Sequence, residues 1–292
     1  MATRLYLLVI LVVMYMFGPS ATCSAGELGL SLTYLDRIQI LDEEQGLNEP
    51  SGLALSRGSA GLWTVSDDTK KVFKLRHSGK IKKADSFAVQ DKGLEGIASV
   101  ADSTFVFVIA EGNNKIIKID TDSHQVSAEK RLDEMAGYDA VEKYFSDSPA
   151  NKGLEGITWN PDSSTIYVIK ESSPGLLMEV SPDLQTIKSH TLLNEDNGFL
   201  DNDISSHRLD FSGICYDTKR SGFWIVSDKG RRLFLYDLSG NRVRQSFTLG
   251  YSKNGEYREI EKAEGVAVDP AANRLYVVSD AEARLYIFDI RE

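Results

Sequence analysis

One short motif recurs along the chain: a carboxylate or serine, then glycine, then an apolar strand. Glutamate precedes the glycine in Glu95-Gly96, Glu155-Gly156 and Glu264-Gly265, and serine takes its place in Ser51-Gly52 and Ser212-Gly213. Carboxylates brought together by such a repeat repel one another. Two unit charges about 4 Å apart cost roughly 4 kcal/mol at an effective dielectric of 20. A cation, a proton or a lysine must offset that. Calcium commonly takes about 6–8 oxygen ligands in flexible geometry and suits carboxylates. The motif carries no histidine or cysteine, so the chemistry favours calcium, with magnesium the weaker alternative, over zinc.

A second acidic set ends the next apolar strand of each unit: Asp67, Glu111, Glu171, Asp228 and Asp280. Glu111 and Glu171 depart from the aspartate pattern and share units with Glu95 and Glu155. The candidate metal ligands are therefore Glu95, Glu155, Glu264, Glu111 and Glu171. A metal-free reading stands beside this one. Lys92, Lys152 and Lys262 precede the three glutamates by two or three residues and would pair with them. The repeated outer acids would then bond turn N–H groups. No catalytic residue is assigned. There is no Gly-x-Ser-x-Gly elbow, and of His77, His124, His190 and His207 only the last lies in a loop on the acidic side.

These residues need a scaffold that brings distant motifs to one place. The five motif glycines are separated by 44, 60, 57 and 52 residues, a spacing that fits propeller blades with loop insertions. Each unit continues with a second apolar strand, such as LWTVSD or FVFVIAE, and a third, such as KVFKL or KIIKID. A more polar fourth follows, as in KIKKADSFAV, VSAEKRL, TIKSHTLL and RVRQSFTL. Alternation of β-branched and aromatic residues marks strands, and Asp-Gly-Ser-Asn-Pro clusters mark the turns. The fifth unit lacks a fourth strand, and SLTYLDRIQIL near the start supplies one. The reading is all-β: a five-bladed β-propeller of four-stranded antiparallel blades, the last closed by the N-terminal strand. In that topology both acidic sets open on one face. The long segments 133–152, 193–210 and 250–262 fall there too. Trp63, Trp159 and Trp224 read as blade core, and Cys215 as a small buried hydrophobe.

The chain has 43 Asp+Glu against 33 Lys+Arg, a formal charge of −10 that argues against nucleic-acid binding. Residues 1–25 read as a signal peptide or membrane anchor: Arg4, then the unbroken apolar run Leu5 to Phe17, then small residues. Residues 26–292 are expected to form a single propeller domain. Cys23 raises lipidation as a further mode of attachment. The expected location is outside the cytoplasm, periplasmic or on the envelope side of the membrane.

The Gly-Leu-Glu-Gly-Ile repeats at Gly93 and Gly153, the Ser-Asp endings of the second strands and the N-terminal apolar segment resemble the SdiA-regulated family of bacterial exported propellers. The resemblance covers roughly residues 32–290. It implies a five-bladed propeller, distantly similar to NHL repeats, with a calcium site. Only Glu95, Glu155 and Glu264 match its glutamate-glycine motif. It brings no catalytic activity with it. A looser likeness to calcium-dependent phytase-like and esterase-like propellers rests on architecture and acidic loops. Two functions follow as expectations. One is a monomeric calcium-binding module that holds a small molecule or envelope protein on the acidic face. The other is a metal-dependent hydrolase of phosphate esters or lactones. Basic residues on the same loops, Lys70, Lys115, Lys170, Lys229, Arg231 and Arg232, would suit an anionic ligand.

Overall fold

A computed structural model describes residues 29–146, 152–201 and 208–292. The N-terminal segment, Cys23 and His207 lie outside the described residues. No helix among the described residues is long and apolar enough to cross a membrane.

Five antiparallel sheets of four strands form the ring. Blade 1 contains β2 (Pro50–Leu55), β3 (Leu62–Ser66), β4 (Lys71–Leu75) and β5 (Phe87–Ala88). Blade 2 contains β6 (Leu94–Ser99), β7 (Phe105–Ala110), β8 (Lys115–Asp120) and β9 (Gln125–Arg131). Blade 3 contains β10 (Leu154–Asn160), β11 (Thr165–Lys170), β12 (Leu176–Val180) and β13 (Ile187–Leu192). Blade 4 contains β14 (Gly213–Asp217), β15 (Gly222–Ser227), β16 (Arg232–Asp237) and β17 (Arg242–Thr248). Blade 5 is β20 (Ala263–Asp269), β21 (Arg274–Ser279) and β22 (Arg284–Arg291), completed by β1 (Ser31–Gln39). β1 runs antiparallel to β22 from Ser31 opposite Arg291 to Gln39 opposite Arg284. The first and last described strands thus share one sheet, and the ring has no open seam.

Strand composition follows distance from the axis. Second strands have blades packed on both faces, so β3, β11 and β15 are buried along their whole length. Such strands read as continuous apolar runs rather than alternating ones. Fourth strands lie at the rim and are polar, as in the exposed QVSAEKR of β9. Hydrophobic clusters fill the spaces between neighbouring blades. One joins Val65 and Val72 of blade 1 to Ile97 and Val108 of blade 2. Another joins Trp224 and Leu235 of blade 4 to Val277 and Tyr286 of blade 5.

The three long segments each follow the fourth strand of one blade and lead to the first strand of the next. Segment 133–152 holds a 3-10 turn at Tyr138–Ala140 and the short helix α1 (Lys143–Ser146). Segment 193–210 holds a 3-10 turn at Glu195–Asn197. The third forms a hairpin of β18 (Gly250–Lys253) and β19 (Glu256–Glu259). One strand expectation changes. The fourth strand of blade 1, expected over the whole of KIKKADSFAV, keeps only Phe87–Ala88. A bridge at Ile81 and a 3-10 turn at Lys83–Asp85 replace the rest.

Candidate metal centre

The recurring glycines are explained by how closely the inner strands approach. A Cβ on Gly52 would fall 2.6 Å from the Glu95 carbonyl oxygen, and one on Gly96 would fall 2.6 Å from that of Glu155. Gly213 and Gly265 stand in the same relation to Glu264 and Ser51, at 2.4 and 2.3 Å. Each of these glycines lets its strand touch the acid- or serine-bearing residue of the next blade. In four blades the strand pairing also shifts register across the motif: between Pro50 and Leu53, Leu94 and Ile97, Leu154 and Gly156, and Ala263 and Gly265. Such a bulge re-aims a side chain, here at the residue before the glycine.

The result is a funnel of about 310 Å³ at one mouth of the ring. Glu95, Glu155 and Glu264 line it, with Ser51 and Ser212 completing the inner circle. Glu111, Glu171, Asp67 and Asp280 line it from the second strands. Asp228, the remaining outer acid, borders a neighbouring cavity instead. All five predicted ligands therefore share one funnel. Glu111, Glu155 and Glu171 come closest, with one oxygen of each within 4.8 Å of the others. Glu95 and Glu264 lie outside that trio. Beneath the funnel the channel narrows to about 90 Å³ and is lined by apolar residues such as Leu53, Ile97, Ile157 and Ile214. This apolar floor removes solvent screening from below the glutamates.

The lysines do not pair with the inner glutamates as the metal-free reading expects. Lys152 Nζ lies 2.5 Å from Glu171 Oε1. Lys262 pairs with Asp280. Lys92 is exposed at the rim and makes no ion pair among the described residues. The ammonium groups thus neutralise the outer acids Glu171 and Asp280, and among the described residues the inner glutamates have no ion-pair partner. The outer acids also differ from the turn-bonding expectation. In blades 4 and 5 the preceding serine takes that role: Ser227 Oγ accepts from Gly230 N–H, and Ser279 Oγ accepts from Glu282 N–H.

Proton affinities reflect this arrangement. Burial, then the charges of Asp67 and Glu111, pushes Glu95 up to about 8. Burial and the surrounding carboxylates hold Glu155 and Glu264 well above the usual carboxylate range. Burial also raises Glu111, which is partly compensated by the Gly153 N–H bonded to its Oε1 at 3.3 Å. Glu111, Glu155 and Glu171 each bring one oxygen within 4.8 Å of the others, so like charges are crowded there. An oxygen-only cluster of this kind offers the donors a hard divalent cation requires. Glu155 and Glu111 are the best placed to hold one, with Glu171 third because Lys152 competes for it.

Two acids were missed by the motif reading. Where serine replaces glutamate, an acid stands two residues earlier: Glu49 before Ser51 and Asp210 before Ser212. That spacing was present in the sequence. Asp210 lines the funnel, accepting from Ser227 Oγ at 3.1 Å and Lys229 N–H at 2.8 Å. Glu49 forms a second acidic group with Asp67 and Asp68. Among the basic loop residues, Lys229 pairs with Asp210 at 3.4 Å, Arg231 pairs with Glu259 and Lys115 pairs with Asp91. Arg232 pairs with Asp201, and Lys170 is buried with its ammonium 2.5 Å from the Ser172 carbonyl. His77, His124 and His190 pack against Tyr276, Phe87 and Tyr144, away from the mouth.

The family model of the SdiA-regulated proteins matches residues 33–289, and the chain belongs to that family. Among solved structures, the glutaminyl cyclase of Myxococcus xanthus is similar, with a TM-score of 0.60 and 12% identity. That match covers 89% of this chain and 97% of that one, and it carries the fold alone. A β-propeller domain of Myceliophteria thermophila Cps50 (Swd1) matches more weakly, with a TM-score of 0.46 and 11% identity over 85% of this chain and 65% of that one. Hydrazine synthase of Kuenenia stuttgartiensis gives 0.45 and 14% over 80% of this chain and 56% of that one.

Proposed function

We propose that this member of the SdiA-regulated family is an exported calcium-binding propeller that acts as a ligand-binding or scaffold module at the cell envelope. One observation carries the calcium reading: Glu111, Glu155 and Glu171 converge within 4.8 Å while the nearby lysines turn to the outer acids. Glu155 and Glu111 would hold the ion, and the remaining funnel carboxylates would supply counter-charge. The bound ion supplies positive charge and open positions for oxygens of a ligand. The funnel walls exclude bulk water from below and fix the direction of approach. Export rests on Arg4 and the apolar run Leu5 to Phe17.

Thermal melting in EDTA, and then with calcium or magnesium restored, tests the site. A ligand that binds only the folded state adds about 2.7 kcal/mol at 100 times its Kd. The proposal predicts a calcium-specific rise that Glu155→Gln abolishes. No rise, together with no metal in the purified protein, contradicts it. N-terminal sequencing of the protein from fractionated cells tests export.

A second reading, a metal-dependent hydrolase of phosphate esters or lactones, has one observation in its favour. A cavity of about 460 Å³ adjoins the mouth, and Arg208, Lys229, Arg231 and Lys262 line it together with Asp228, Glu259 and Glu261. An anionic substrate there would compete with the carboxylates that hold Lys229, Arg231 and Lys262. Turnover of p-nitrophenyl phosphate or a simple lactone in excess calcium, lost in Glu155→Gln, would favour this reading over the module.

A further inference from the structure

The end of the propeller away from the acidic mouth carries a groove where cations outnumber carboxylates. Blade 1 has a two-residue fourth strand where blade 2 has seven residues. The shortening opens a groove of about 470 Å³ between blades 1 and 2. Blade 1 contributes Arg57, Trp63, Lys74, Lys82 and Asp85, and blade 2 contributes Phe105 and Asp122, so three cations face two carboxylates. That volume lies within the range of small-molecule pockets.

Lys74 is the unusual group. Its side chain is only 7% exposed, and Nζ sits over the Trp63 ring, 4.2 Å from the centroid. Among the described residues no carboxylate lies within ion-pair distance of it, and no hydrogen bond is made by its ammonium. Lys82, by contrast, is held by Asp85 at 2.5 Å. Arg57 also has no ion-pair partner among the described residues. Nζ is not among the fully buried polar atoms, so it opens on the groove. Partial loss of water without a counter-charge is costly, and the ring face offsets only part of that. Burial and the neighbouring Lys82 accordingly pull the Lys74 ammonium down to about 8. Asp122, Thr104 and Thr121 of blade 2 add polar groups to the lining, and behind it Phe87 meets Trp63 edge-on at 6.1 Å and stacks on His124 at 4.6 Å. Lys118 covers the Phe105 ring at 4.4 Å.

We infer that this groove binds a small organic anion, its acidic group on Lys74 and Arg57 and its flat apolar body against Trp63 and Phe105. A carboxylate and a phosphate monoester share that chemistry. The site is independent of the acidic mouth and of any metal there.

Calorimetric titration with benzoate and with phenyl phosphate tests the inference, with benzyl alcohol as the uncharged control. Saturable binding of either anion, at least tenfold weaker in Lys74→Met and weaker in Arg57→Ala, is the expected result. The stronger of the two anions identifies the acidic group. Glu155→Gln, at the other mouth, should leave binding unchanged. Arg57 is exposed and unpaired, so its variant reports on binding even if Lys74→Met melts early. Absence of binding by both anions, equal binding of benzyl alcohol, or unaltered affinity in both variants overturns the inference.

Discussion

Lys152 reaches past Glu155, three residues on, and places its ammonium 2.5 Å from Glu171 Oε1 on the neighbouring strand. The lysine therefore stabilises the outer acid and leaves the inner one dependent on a proton or a cation. Lys152→Met should free Glu171 as a third ligand. Calcium affinity should rise by about fivefold, the equivalent of roughly 1 kcal/mol for a partly buried pair. Calorimetric titration of the chelator-stripped variant checks this. Weaker binding in the variant would show that Lys152 orders the site rather than competes for it.

Stability in EDTA should fall as pH rises from about 5 to about 8. The sign follows from Glu95, whose folded value of about 8 lies above the ordinary carboxylate value of 4.5. Between those values the folded state holds more protons than the unfolded state, so raising pH favours unfolding. Glu155 and Glu264 are raised as well and act in the same direction. Each group contributes a slope of up to about 1.4 kcal/mol per pH unit over its window. Calcium should flatten the slope, because it favours the charged form. Melting temperatures from pH 5 to 8 with and without calcium read this directly, and a rise of stability with pH in EDTA would contradict it.

Gly265→Ala should destabilise the ring by about 1–3 kcal/mol or more. The new methyl group would meet the Ser51 carbonyl oxygen at 2.3 Å and Leu53 N at 2.8 Å, across the junction of the last and first blades. Gly112→Ala is the control, since nothing lies within 4 Å of its Cβ position. It should stay within about 0.5 kcal/mol of the parent chain. Urea melts of both variants decide the matter, and equal stabilities would refute close strand contact as the reason for the repeat.

Asp217 anchors a buried network in blade 4. It accepts from Arg220 Nη1 at 2.9 Å and Trp224 Nε1 at 3.0 Å, and from the Lys219 and Arg220 N–H groups at 3.0 and 3.1 Å. Arg220 in turn reaches Glu292 at 3.1 Å, tying blade 4 to the end of the chain. Asp217→Ala should cost about 3 kcal/mol or more, because it leaves a buried guanidinium without its partner. A loss below about 1 kcal/mol in denaturant melts would show that the network is dispensable.

The blades were legible because period-2 strands and turn clusters repeat at blade spacing, and because the fifth unit visibly lacks its last strand. The shared mouth was legible from topology alone. Three features were not read. Glu49 and Asp210 were passed over because serine occupies the motif position at Ser51 and Ser212, although an acid stands two residues earlier in each case. The partners of Lys152 and Lys262 depend on where a side chain crosses between strands, and local spacing does not specify that. The basic groove depends on a strand that shortens: KIKKADSFAV has strand-like composition, but a turn at Lys83–Asp85 interrupts it.

The central claim is that Glu155 and Glu111 hold a cation. The most direct measurement is a calcium titration by calorimetry of the chelator-stripped protein at pH 7, repeated with Glu155→Gln and with magnesium. The account predicts one saturable calcium site per chain, weaker magnesium binding, and loss of the calcium site in Glu155→Gln while the fold is kept. Heat-silent titration with no calcium bound in parallel equilibrium dialysis, or a site that survives Glu155→Gln unchanged, contradicts it.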